Sequence, residues 1–137
     1  MTLDDAIAAL RELNEEVPRP LRLPTEAEVA AAERDIGVPF HPDLRRYLLR
    51  ASDVVLGALE PVTLTRPDAH THLPRVAADA WAAGVPRDHV PVCEDNADFY
   101  CVAPDGRVVF LSHNGPSSDA WPDLAAWIED VWIGESD

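Results

Sequence analysis

The sequence predicts an α+β fold with a mainly antiparallel sheet of about four to six strands packed with helices. Three observations predict it. Helical periodicity with capping signals fills the chain up to Ser52. Apolar and β-branched runs around the turn Pro104-Asp105-Gly106 read as strands. The order helices, strands, helix, strands, helix lacks the regular alternation that builds a doubly wound parallel sheet. With 137 residues, 47 % of them apolar and mixed with charges, one globular domain spanning residues 1–137 is expected.

In TLDDAIAALRELNEEV, Thr2 and Asp5 stand at capping-box separation, and Leu3, Ile7, Leu10 and Val17 recur at helical spacing. Pro18 and Pro20 end this helix, and PRPLRLP is an extended connector, because proline lacks the donor a helix needs and restricts the residue before it. A second helix opens on the capping box Thr25/Glu28, buries Val29, Ala32 and Ile36, and stops at Gly37. Pro42 can occupy the first turn of a third, with Leu44, Tyr47, Leu48 and Ala51 as its apolar stripe.

After Ser52 the run VVLGALEPVTL predicts a hairpin or two short edge strands, punctuated by Gly57 and Pro61. Residues 71–83 return to a helical pattern with Pro74 in the first turn and Gly84 at the end. VPVCED, DFYCVA and RVVFLS are the strongest strands, apolar enough to be covered at least in part on both faces. Ser118 or Asp119 is expected to cap a last helix, with Trp121, Leu124, Ile128 and Val131 at helical spacing and Trp127 and Trp132 widening the stripe into the core.

Twenty-five acids against eleven bases, all arginine, give a formal net charge of −14. Such a chain is soluble, is repelled by nucleic acid and anionic lipid, and favours encounter with a basic partner. No apolar run approaches a membrane span, and the acidic start MTLDDAIAAL does not read as a signal peptide, so the cytoplasm is the expected compartment.

Candidate chemistry is sparse. Cys93 and Cys101 lack the close pairing of a zinc site, and His70 with His72 is the one close histidine pair, so no metal is expected. A nucleophilic cysteine needs a nearby cation, whereas Cys93 precedes Glu94 and Asp95, and Cys101 sits in an apolar run. His41, His89 and His113 begin no catalytic motif, and no phosphate-binding glycine loop occurs. No cofactor and no enzymatic activity are implied.

LPTEAEVAAAERDIGVPFHPDLRRYLL, with Glu33, Gly37 and Tyr47, resembles the N-terminal signature of the SUKH superfamily, related to fungal Smi and Knr cell-wall regulators. NADFYCVAPDGRVVFLSHNG is similar to that family's N-G-D-x-Y-C strand, hairpin and next strand: Asn96, Asp98, Tyr100 and Cys101 match, and Ala97 replaces the usual glycine. DLAAWIEDVWI resembles its terminal L-x-x-W-I segment through Trp127 and Ile128. One departure lies at RASDVVLG, where Asp53 stands at the expected turn and Gly57 is displaced.

The resemblance implies a Smi/Knr-like fold. It also implies the role common among bacterial members: an immunity protein that binds and neutralises the toxin of a polymorphic toxin system, often a nuclease, with no catalytic residue of its own. The partner would then be a basic toxin domain. A regulatory scaffold akin to the fungal relatives is the alternative.

The stretch CEDNADFYC joins these readings. If its turn is centred on Ala97, Cys93 and Cys101 face each other at about 4.5 to 5.5 Å between Cα atoms. A disulfide is then sterically open, while the expected compartment favours two packed thiols. Glu94, Asp95, Asn96 and Asp98 cluster at the turn as the expected contacts for a basic partner.

Overall fold

The computed structural model describes residues 1–115 and 117–136. Four helices lead: α1 (Leu3–Leu13), α2 (Glu26–Ile36), α3 (Pro42–Ala51) and α4 (Leu73–Ala82). Four strands follow, β1 (Val90–Asp95), β2 (Asp98–Val102), β3 (Val108–Leu111) and β4 (Ala120–Trp121), in one antiparallel sheet of order β1-β2-β3-β4. The chain closes with α5 (Leu124–Trp127), a π-helical turn (Ile128–Ile133) and a final α-turn, α6 (Gly134–Ser136). Together these last three form a continuous terminal helix.

The helix starts are set locally. At both Thr2 and Thr25 the hydroxyl accepts the N–H three residues on, and the carboxylate there, Asp5 or Glu28, accepts the threonine N–H in return. Gly37 ends α2 at φ 79°, a left-handed conformation that a side chain disfavours, and donates its N–H to Glu33 O. α1 stops at Leu13, short of the prolines, because Asn14 and Glu15 turn to other work: Asn14 Oδ1 accepts Val55 N–H, and Glu15 donates its own N–H to Val55 O. Val17 therefore lies beyond the helix and is only partly buried.

Those bonds overturn the strands expected in VVLGALEPVTL. The segment is held by other parts of the chain: Arg11 pairs with Asp53, Glu15 Oε2 accepts Gly57 N–H, and Trp132 donates its indole N–H to Leu56 O. Ladder pairing survives as single bridges, Pro61 to Cys93 and Thr63 to His72. With backbone groups of Val55, Leu56 and Gly57 taken by Asn14, Glu15 and Trp132, this part of the segment does not need a neighbouring strand.

The last helix also starts later than expected. Asp123, not Ser118 or Asp119, accepts the capping N–H, from Ala126, because Ala120–Trp121 is drawn into the sheet against Val108 and Val109. Trp127 and Trp132 are both fully buried, although residues five apart lie roughly 140° apart on an α-helix. The π-helical turn between them, closed by Gly134 N–H to Glu129 O, winds fewer degrees per residue and brings both indoles to the core.

One apolar cluster holds the molecule together. Tyr100 on β2 packs on Phe110, Trp121 and Trp127, which places the terminal helix on that face of the sheet. Tyr47 on α3 meets Trp132 edge-on at 6.2 Å and donates its buried hydroxyl to Val62 O at 2.9 Å. α4 packs along β1, with α2 touching both α3 and α4. Gly106, in the β2–β3 turn, sits so close to the His41 ring that a Cβ there would lie 2.6 Å from Nε2.

Candidate partner-binding surface

The β1–β2 hairpin turns through Asn96 and Ala97, both left-handed at φ 52° and 70°, between the facing pair Asp95 and Asp98. Two left-handed residues make the tight turn whose twist matches antiparallel strands, and Ala97 holds that conformation without glycine's freedom. Glu94 Oε1 accepts Ala97 N–H at 3.2 Å, and Asn96 Nδ2 reaches Asp95 Oδ1 at 3.3 Å. Glu94 and Asn96 are exposed and Asp95 is partly so, which leaves them available to a partner.

Asp98 is differently placed. Its carboxylate accepts both the backbone N–H of His113, at 2.9 Å, and the ring Nδ1, at 2.6 Å. The backbone N–H, then the histidine ring, hold its carboxyl below the usual carboxylate range. Asp98 thus ties the loop after β3 back to β2, a structural task that separates it from its three neighbours.

The two cysteines do not face each other. Cys93 pairs with Tyr100 and Cys101 with Pro91, because a β-bulge at Val92 shifts the register between them. Pro91 has no N–H for the ladder, and Val92 O is taken from outside the hairpin by Val62 N–H at 2.9 Å. A one-residue shift moves a side chain to the other face, so Cys93 lies with Tyr100 and Cys101 on the side of Phe99. Both are free, buried thiols. Burial pushes each up to about 12, and the carboxylates of Asp95, Glu94 and Glu60 add to the effect at Cys93.

Beside the hairpin lies a hollow of about 170 Å³ lined by Glu60, His70, Thr71, Glu94, Asp95 and Asn96, among others. His70 Nε2 and Glu60 Oε2 stand 2.6 Å apart at its rim. Glu60 is 34 residues from Glu94 in sequence, and only the fold joins them. Among the described residues no three His, Cys, Asp or Glu side chains are grouped to hold a metal ion, and no helix is long and apolar enough to cross a membrane.

The residues that carry the family motifs are structural in their contacts. Glu33 accepts Phe40 N–H at 2.8 Å and pairs with Arg45, closing the α2–α3 loop. Gly37 caps α2, Tyr47 bonds Val62 O, and Tyr100, Cys101, Trp127 and Ile128 are buried.

The wider charge distribution is uneven. Up to Arg87 fourteen acids accompany ten arginines; from Asp88 onward eleven acids accompany one, Arg107. The sheet and terminal helix therefore carry most of the net charge, and Glu94, Asp105, Asp119, Asp123, Glu129, Asp130 and Glu135 are all exposed.

Comparison with known proteins agrees with this architecture. A crystal structure of a protein from Pseudomonas syringae pv. tomato superposes with a TM-score of 0.91 at 43 % identity, over 96 % of this chain and 98 % of that one. No curated protein matches. The family model SUKH_5, described as SMI1-KNR4 cell-wall, matches residues 3–133. The chain therefore belongs to the SUKH, or SMI1-KNR4, family.

Proposed function

We propose that the protein is an immunity protein, which neutralises a cognate toxin of a polymorphic toxin system by binding it one to one. The observation that carries this reading is the outward-facing acidity of the sheet and terminal helix, on a chain whose resemblance to the SUKH superfamily implies that role. A toxin that works on nucleic acid must present cations to phosphates, and carboxylates fixed on a rigid fold compete for the same surface. Blocking of this kind needs surface and charge and has no catalytic step. Buried thiols held in their protonated form suit a protein whose cysteines serve packing.

The test is co-expression with the toxin domain encoded beside the gene. Protection of the cells, and a one-to-one complex on light scattering, are expected; toxicity undiminished by the folded protein would refute the reading. The family description favours a second reading, a regulatory scaffold that binds cell-wall-related partners. A gene neighbourhood without any toxin would favour it over the first.

A further inference from the structure

Between β4 and the terminal helix runs a groove of about 480 Å³ lined by Trp121, Ala126, Glu129, Asp130 and Gly134. Trp121 is partly exposed. Its indole N–H donates to Asp130 Oδ2 at 2.9 Å, and its ring meets that of Tyr100 edge-on at 5.7 Å. Two contacts thus fix the ring, while the small residues Ala126 and Gly134 leave the space beside it open. Asp119 and Glu135, both exposed, stand close in sequence to the lining residues Trp121 and Gly134. Both bear on the Tyr100 hydroxyl, which is pushed up to about 12 by burial first and then by carboxylates that include these two.

The other partly exposed tryptophan shows what this groove lacks. Trp81 is covered by its own cation, with the Arg87 guanidinium 4.1 Å from the ring centroid, and its indole N–H is bonded to His89 O. At Trp121 the carboxylates are in place but no arginine or lysine follows Arg107 in the chain. An aromatic face ringed by carboxylates attracts a cation through both the ring quadrupole and the charges.

We propose that this groove is the docking site for a cationic segment of the protein partner, with an arginine or lysine side chain lying over Trp121 and paired with Glu129 and Asp130. The identity of that partner as a toxin rests on the function proposed above; the chemistry of the groove does not.

Two experiments separate the claims. In the first, isotope-labelled full-length protein is titrated with an alanine–arginine helical peptide while the indole N–H resonances are followed. Saturable movement of the Trp121 resonance, weakened at least about tenfold in Glu129→Lys and little changed in Glu12→Lys, an exposed acid on α1 away from both the groove and the hairpin, supports the groove. Saturation at the β1–β2 hairpin with Trp121 unmoved overturns it. In the second, the same two variants, checked for unchanged melting, are tested for protection against the toxin domain encoded beside the gene. Loss of protection in Glu129→Lys alone supports the groove; full protection by that variant overturns it and leaves the immunity reading intact. Failure of the wild type to protect refutes the immunity reading, and the peptide titration then decides the groove by itself.

Discussion

The segment up to Arg87 and the segment from Asp88 onward handle their carboxylates in opposite ways. In the first, acids close on arginines: Asp4 with Arg46, Glu28 with Arg22, Glu33 with Arg45, Asp53 with Arg11. These pairs fasten α1, α2 and α3 to each other and to the loops between them. In the second, Asp105 with Arg107 is the one acid–arginine pair among the described residues, and the other acids bond backbone N–H groups, a histidine or a neutral side-chain donor, as Asp123, Asp98 and Asp130 do, or face solvent. Charge is used for assembly in one region and is turned outward in the other, although a single core spans both.

The largest test is of that shared core. Trp127→Ala removes an indole that is fully buried and packed on Tyr100 and Trp132, and is expected to cost about 3–5 kcal/mol. Urea unfolding followed by far-ultraviolet dichroism and by tryptophan fluorescence should then give one coincident, lowered transition. Two separate transitions would mean that the regions are independent units.

Next comes the contrast in the acids themselves. Glu33→Ala leaves Phe40 N–H and Arg45 without their partner in a partly buried loop, and about 1.5–3 kcal/mol of stability should go. Exposed Glu129→Lys should change stability by about 0.5 kcal/mol or less. Equal effects in denaturant titrations would erase the distinction between the two regions.

A smaller effect, of opposite sign, is expected at the hairpin. Ala97→Gly relieves a left-handed alanine at φ 70° and should stabilise by about 1 kcal/mol, read as a higher denaturant midpoint. An unchanged or lower midpoint would show that alanine carries no strain in that turn.

The smallest is a dependence on pH. Arg22 first, with the Thr25 N–H, holds Glu28 at about 2 against an ordinary value of 4.5. A depressed carboxyl stabilises the fold above its unfolded-state value and loses that contribution as pH falls through the folded one. The difference in melting temperature between wild type and Glu28→Gln should be present at neutral pH and close between 4.5 and about 2. A difference that persists at the acid end would assign the effect to shape and not to charge.

Much of this was legible in the sequence because it is local. Thr2 with Asp5, Thr25 with Glu28, Pro42 and Gly37 signal helix ends within one turn, and the Pro104-Asp105-Gly106 turn fixes two strands around it. What escaped depends on distant partners. Residues 54–59 have a strand's composition, but Asn14, Glu15 and Trp132 take their backbone groups. Ser118, Asp119 and Asp123 are all able to cap a helix, and pairing of Ala120 with Val109 decides for Asp123.

The cysteines illustrate the same limit. Their spacing was visible, but the bulge that separates them depends on Val62, which is bonded to Val92 from outside the hairpin. At the candidate site, the cluster of Glu94, Asp95 and Asn96 was evident from the turn they share. No nearby signal marked Asp98 as the partner of His113, Glu60 as a neighbour of the hairpin, or Trp121 as the floor of a groove.

The central claim, that an outward acidic surface captures a basic partner, is tested most directly by the association rate with the toxin domain encoded beside the gene, measured by stopped flow across a range of salt. Electrostatic steering predicts a rate that falls steeply as ionic strength rises, and falls further in Glu129→Lys at low salt. A rate independent of salt in the wild type would contradict it.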